Sequence, residues 1–270
     1  GVIRGLHNRK DWSKKWYATM SKPLAHPDLS NLKTVDNIGG LEVRIPQAIK
    51  AEDLSFQPGG RSAALKYLNS FLESRSNNYN KYISKPLESR KSCSRLSPYL
   101  AWGNLSMREV YQAMKSTKDA ASYKRNLASF ASRLRWHCHF IQKFEMEIRY
   151  EKENINRGYD QIRNEEDKQK LEAWKNGQTG YPLVDACMRC VKATGYLNFR
   201  MRAMVVSFLT HHLWQHWKSG ADYLAQQFLD FEPGIHYAQF QMQAGTTGIN
   251  TIRIYNPVKQ AKDNDPEGAF

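Results

Sequence analysis

Apolar residues along most of this chain recur every three to four positions, the spacing of one face of an α-helix. Ala64, Leu65, Leu68, Phe71 and Leu72 share such a face. Ser106-Met107-Arg108-Glu109 has the form of a capping box and opens a helix through Val110, Tyr111 and Met114. The stretch from Leu127 to Ile148 contains no Pro or Gly and keeps helical spacing. Pro182 suits the first turn of a helix that runs to about Lys192, with Gly195 just past its end. Met201 to Trp217 predicts a further long helix, closed by Gly220. Trp12 and Trp16, four apart, predict a short helix that Pro23, Pro27 and Gly39-Gly40 do not allow to continue. Only residues 41–45 alternate like a strand, and that run stops at Pro46. Strands do not alternate with helices, so a parallel α/β sheet is not expected. From Phe231 onward, Pro233, Gly234, Gly245, Gly248 and Pro257 predict loops. The expected architecture is all-α: a helical domain over residues 41–270 after an extended, linker-like segment over residues 1–40.

Composition narrows the class. Seven Trp and 12% aromatic residues in 270 exclude a disordered chain. Forty Lys and Arg against 26 Asp and Glu leave a net charge of +14. An excess of that size suits a polyanion such as nucleic acid, or an anionic membrane surface. The basic residues are dispersed, so this argument rests on composition alone. Mean hydropathy is −0.69, and no apolar run approaches the roughly 18–20 residues of a membrane helix. Four Cys do not make a disulfide framework, and no secretory signal is present. A reducing compartment is therefore expected: the cytoplasm, or a nucleus or organelle in a eukaryote. The chain opens Gly1-Val2-Ile3-Arg4 without Met, as a fragment would.

Some segments carry candidate chemistry. Ser92-Cys93-Ser94-Arg95-Leu96-Ser97-Pro98 places hydroxyls and an Arg before a predicted helix start, where free N–H groups favour an anion. A plain N-cap with Arg95 in water is the simpler alternative. Arg202 lies on an apolar helix and wants a partner; Asp230 is a candidate for a buried pair, structural or ligand-holding. Asp185 and Arg189, four apart, read as a surface ion pair of little energetic value. Cys187-x-x-Cys190 lacks the second pair of a zinc site. His212 and His216 lack the glutamate of a metalloprotease helix, position 213 being Leu. His137 and His139 fall on nearly opposite helix faces. Packing or surface roles are expected for all of these, and no metal site.

Taken together, four segments in order carry more information than any one. They are Ser94 through Ser106; Trp174, Gly177 and Thr179 through Ala186 with Met188 and Arg189; Thr194 through Arg202 with Ser207 through Thr210; and Arg253 through Pro257 with Gln260 and Asp265 through Gly268. Over residues 60–270 this series resembles the DNA photolyase/cryptochrome family. The resemblance implies a helical domain that holds FAD non-covalently, without the family's N-terminal antenna domain. It places Tyr79, Ser94, Arg95, Leu96 and Ser97 on the diphosphate and ribityl chain, with Cys93 where a Thr is usual. It places the Arg202–Asp230 pair beside the flavin ring, Glu232 where an Asp is usual, and His236 opposite flavin N5, where His would exchange a proton near neutral pH.

The same resemblance implies departures in the repair pocket. Trp136 is kept, but Arg133 stands near the place of a Glu, Phe199 in the place of an Asn, and Met242 in the place of an aromatic wall. Of the family's tryptophan chain Trp217 is kept, while Phe240 and Asn164 replace its inner and outer members. The function implied is light-driven electron transfer from FAD to UV-damaged DNA by a photolyase-like lyase, with His236, Trp136 and Trp217 as its catalytic candidates. The alternative implied is a non-repair, cryptochrome-type blue-light photoreceptor with a protein signalling partner.

Overall fold

The computed structural model describes residues 10–26, 28, 30, 31, 33, 55–117 and 124–270. Among these the chain is helical and forms no strand. The alternating run at 41–45 and the expected domain boundary near residue 40 lie outside the described residues. The helices are α1 (Trp12–Met20), α2 (Arg61–Glu73), α3 (Tyr79–Tyr82), α4 (Ser89–Ser92), α5 (Ser97–Ala101), α6 (Met107–Ser116), α7 (Lys124–Met146), α8 (Lys168–Lys175), α9 (Pro182–Thr194), α10 (Phe199–Ser207), α11 (Trp217–Gln227), α12 (Pro233–Ala244) and α13 (Pro257–Asn264).

Two apolar cores form. The first gathers Trp16, Leu68, Phe71, Tyr79, Leu96, Tyr99, Val110, Phe130 and Leu134. The second gathers Trp174, Val184, Met188, Met201, Met204, Leu209, Trp217, Leu224, Tyr237 and Phe240. The 23-residue helix α7 joins them. Its first half gives Leu127, Phe130 and Leu134 to the first core, and it packs along α12 of the second. Gly234 permits that approach, because a Cβ there would lie 2.8 Å from the Ile141 Cα and 3.3 Å from the Phe140 carbonyl. Backbone cannot yield as a side-chain tip does, so Gly234→Ala should destabilise by about 1–3 kcal/mol, as overpacking does. An unchanged denaturation midpoint would show that α7 and α12 have slack.

Local signals held in several places. The Ser106 hydroxyl accepts from the Glu109 N–H while Glu109 accepts from the Ser106 N–H. Pro182 begins α9, and Gly195 ends it at φ +64°. The short helix expected around Trp12 and Trp16 forms over Trp12–Met20 and packs on the first core: Trp16 meets Tyr111 edge-on at 5.1 Å, and Trp12 Nε1 donates to Gln142. Other expectations changed. The long helix expected over 201–217 is three pieces. After α10 comes a π-turn at Phe208–His212, and then Trp214 takes φ +57°. The His216 ring caps the new helix by accepting from the Lys218 N–H. Gly220 therefore closes nothing; it sits inside α11, where a Cβ would strike the Leu209 side chain at 2.2 Å. Pro233 likewise opens α12 rather than a loop. Asp185 is no surface ion pair: it accepts from the N–H groups of Thr179 and Gly180 and the Thr179 hydroxyl, while Arg189 donates to the Gly177 carbonyl.

Candidate functional site: a cavity between the two cores

The two cores do not meet throughout. Between them lies a cavity of about 560 Å³, within the roughly 300–1,000 Å³ of small-molecule sites. Tyr79 and the segment Cys93–Ser97 line one side. Residues of α10, Asp230 and the inward face of α12 line the other, and Arg133, Trp136, His137 and Phe140 of α7 form a third wall.

The first wall carries a buried cation. Arg95 is 9% exposed, its Nε has no hydrogen-bond partner, and its guanidinium lies 3.6 Å from the centre of the Tyr196 ring. Its backbone has φ +60°, a conformation that side chains rarely take and that recurs where function requires it. Leu96 follows at φ −91° and ψ −10°. The Leu96 N–H is taken by the Ser94 hydroxyl at 3.4 Å, while the Ser94 and Arg95 N–H groups have no protein acceptor among the described residues, as a backbone nest for an oxyanion requires. Helix α5 has only five residues, so its dipole adds little, and Arg95 with the backbone carries the site. The Leu96 side chain points instead into the first core.

On the opposite wall Arg202 donates to both oxygens of Asp230 at 2.9 Å and, through Nε, to the Leu197 carbonyl. Its guanidinium lies 3.9 Å from the centre of the Phe228 ring. Removing one member of a buried pair leaves the other uncompensated. Arg202 keeps 26% of its side chain exposed, so Asp230→Ala should cost about 3 kcal/mol, the low end for such losses. Urea unfolding measures this, and a change under 1 kcal/mol would mean that solvent replaces the carboxylate.

His236 sits on α12 among the rings of Phe228, Phe231, Tyr237 and Phe240. Its Nε2 lies 2.8 Å from the Ala221 carbonyl, which accepts and so fixes the proton on Nε2. Burial lowers its pKa to about 4. That lies below the ordinary 6.5, which disfavours the imidazolium that exchange near neutral pH would use, and leaves Nδ1 as an acceptor. Burial likewise lowers His137 to about 4, and its Nδ1 has no partner. Burial raises Glu232 above the usual carboxylate range, aided by Glu145.

The structure thus brings Tyr79, Ser94, Arg95, Ser97, Trp136, Arg202, Asp230, Glu232 and His236 to one cavity, with Cys93, Arg133, Phe199, Phe240 and Met242. Trp217 does not reach it. Trp217 is buried in the second core, donates to Asn154, and lies 6.5 Å from Tyr237 between ring centres. Asn164 is exposed and away from the lining. Sequence reasoning missed Phe228, Gln239 and Gln243, and read His137 as packing. The available signal was a polar stripe at helical spacing on one face of α12, His236, Gln239 and Gln243, with Gln241 turned away to bond the Tyr150 and Glu153 carbonyls. Among the described residues, no cluster of three or more His, Cys, Asp or Glu could hold a metal, and no helix is long and apolar enough to cross a membrane.

Comparison with known proteins agrees with this geometry. Residues 130–270 match the family described as the FAD binding domain of DNA photolyase, and the chain belongs to that family. It is 30% identical over 258 residues to a deoxyribodipyrimidine photo-lyase of Halobacterium salinarum, covering 94% of this chain and 52% of that protein. It is 34% identical over 180 residues to a cryptochrome DASH of Gloeobacter violaceus, covering 66% and 36%. Among solved structures, an archaeal photolyase from Sulfolobus tokodaii with two FAD molecules superposes with a TM-score of 0.69 at 33% identity, covering 81% and 47%. The chain spans about half the length of the curated relatives it matches.

The residues present fit an FAD. Arg95 and the backbone beside it would suit a diphosphate, the apolar and aromatic walls would suit the rings, and the Arg202–Asp230 pair would offer polar groups to a ring edge. The buried, unpartnered Arg95 Nε, His137 Nδ1 and Gln239 Oε1 are groups that a polar ligand would satisfy.

Proposed function

We propose that this domain holds FAD in the cavity between its cores and drives light-dependent electron transfer to UV-damaged DNA, as a photolyase does. The observation that carries the reading is Arg95, a buried guanidinium without a carboxylate, aimed into a cavity of this size. Bound flavin would supply blue-light absorption and single-electron chemistry. The protein would hold the diphosphate through Arg95, Ser94 and Ser97, orient the ring through Arg202 and Asp230, and exclude water through Phe228 and Phe240. His236, neutral and fixed by Ala221, would offer Nδ1 as an acceptor to a ring N–H. Trp136, 49% exposed, and Phe199, 48% exposed, line the cavity and also reach the surface, where they would stack against bases. A thymine-dimer oligonucleotide, illuminated with the flavin-loaded protein, tests this. Recovery of intact thymines only in light supports repair; none in light or dark overturns it.

The second reading is a photosensor without repair. Arg133 favours it, because a cation replaces the carboxylate that the family resemblance leads one to expect at the cavity. DNA binding separates the two. If the net charge of +14 serves DNA, log affinity should fall linearly with log salt, with a slope near −0.9 per phosphate contacted. Absence of binding at 50 mM salt would favour the photosensor.

A further inference from the structure

Arg75 lies outside the cavity lining, yet it bonds the segment that forms one cavity wall. A guanidinium has five N–H donors, and all five are used. Nε donates to the Ser70 hydroxyl at 3.0 Å. One terminal nitrogen donates to the carbonyls of Lys91, at 3.0 Å, and Cys93. The other donates to the carbonyls of Tyr67, at 2.7 Å, and Ser94, at 3.2 Å. Every acceptor is neutral, and Arg75 has no ion pair among the described residues. Its guanidinium also lies 5.6–5.7 Å from the centres of the Tyr67 and Phe71 rings of α2. One side chain thus ties the chain at residues 91–94 to α2, a rigid helix of the first core.

Two consequences follow from peptide geometry and charge. In a trans peptide the carbonyl of one residue and the N–H of the next point in opposite directions. With the Cys93 and Ser94 carbonyls turned onto Arg75, the N–H groups of Ser94 and Arg95 are turned away from it. Neither N–H has a protein acceptor among the described residues. The same bonds hold the backbone entering Arg95, whose φ of +60° would otherwise relax. Arg75 also places an uncompensated positive charge behind that wall, close enough for Arg75 and Arg95 to repel each other. An anion in front of the wall relieves that repulsion.

We infer that Arg75 is the positioning residue of the diphosphate site: it preforms the Cys93–Arg95 backbone and holds Arg95 toward the ligand without touching it. This deepens the FAD-binding reading and rests on it.

A double-mutant cycle with FAD as the probe tests the inference. Flavin-stripped protein, Arg75→Lys, Arg95→Ala and the double variant are titrated with FAD, and each is melted without FAD to confirm folding. Arg75→Lys keeps the charge but cannot hold five acceptors, so affinity should fall about tenfold. In the Arg95→Ala background the same change should cost less, about threefold, because the Arg95 side chain is then absent and only the backbone N–H groups remain to be positioned. A tenfold loss in both backgrounds would show a merely structural role, and no loss in either would remove the role altogether. Should Arg75→Lys fail to fold, Ser70→Ala decides. It removes the oxygen held by Nε, together with that hydroxyl's own bond to the Tyr67 carbonyl at 3.2 Å, and should weaken FAD about threefold with Arg95 present and less without it; equal effects in both overturn the inference. Failure of the parent protein itself to bind FAD would instead overturn the FAD reading, so the two outcomes remain distinct.

Discussion

Replacing Arg95 by alanine is expected to weaken FAD binding by roughly 10- to 150-fold. A hydrogen bond to a charged group contributes about 1.5–3 kcal/mol, and about 1.4 kcal/mol is a factor of ten. The upper part of the range is favoured by burial: Arg95 is 9% exposed and held face-on against Tyr196 at 3.6 Å. Its donors therefore lose little water when an anion arrives. Alanine also removes that stacked contact, so a control must separate ligand loss from misfolding. Glycine supplies it. At φ +60° an L-residue carries a cost of about 1–2 kcal/mol that glycine does not. Arg95→Gly should thus lose FAD as Arg95→Ala does, yet unfold at higher temperature than Arg95→Ala in the absence of flavin. Titration of flavin-stripped protein with FAD and melting without it give both numbers. Full FAD affinity in either variant would remove the phosphate role from this wall.

How much of this was legible in the sequence depends on whether a feature is local. The Ser106–Glu109 cap, the Pro182 start and the Gly195 stop are decided within one turn of chain, and each was readable. The break after Ser207 was not. It depends on Trp214 adopting a left-handed backbone and on Gly220 admitting Leu209, a contact between two helices. Gly234 was misread for the same reason: its lack of a side chain serves α7, about ninety positions away, and not a turn. The cavity residues were placed by family resemblance, since composition and spacing alone left Arg95 open between a solvated cap and an anion site. Arg75 was invisible. Its acceptors are backbone carbonyls, which every residue has, so no pattern of side chains announces them. His236 was located by resemblance but its chemistry was not, because the bond to Ala221 and the four surrounding rings exist only in the folded chain.

That environment leads to a second large effect, on stability against acid. His236 and His137 line the cavity, and burial holds each near pKa 4 rather than the ordinary 6.5. Around His236 the bond to the Ala221 carbonyl opposes most, with Asp230 and Asp222, while Arg202 pushes further down; around His137, Asp230 partly opposes. Above pH 6.5 the rings are neutral in folded and unfolded chains, and neither affects stability. As pH falls below 6.5, the unfolded chain takes up protons that the folded chain refuses. Stability is then lost by about 1.4 kcal/mol per pH unit for each ring. The loss continues until the folded pKa near 4 is reached, by which point each ring has removed about 3 kcal/mol and the pair about 6. Domains of this kind have about 5–15 kcal/mol in all, so the flavin-stripped protein should lose a large share of its stability between pH 6.5 and 4. His236→Asn, which keeps a polar side chain but cannot titrate, should halve the slope of unfolding free energy against pH in that window. His137→Gln combined with it should remove most of the remainder. Urea unfolding followed by circular dichroism from pH 7 to 4 measures all three proteins. Parallel pH profiles for the parent and the double variant would show that water reaches both imidazoles, and that the cavity walls are looser than the packing around His236 implies.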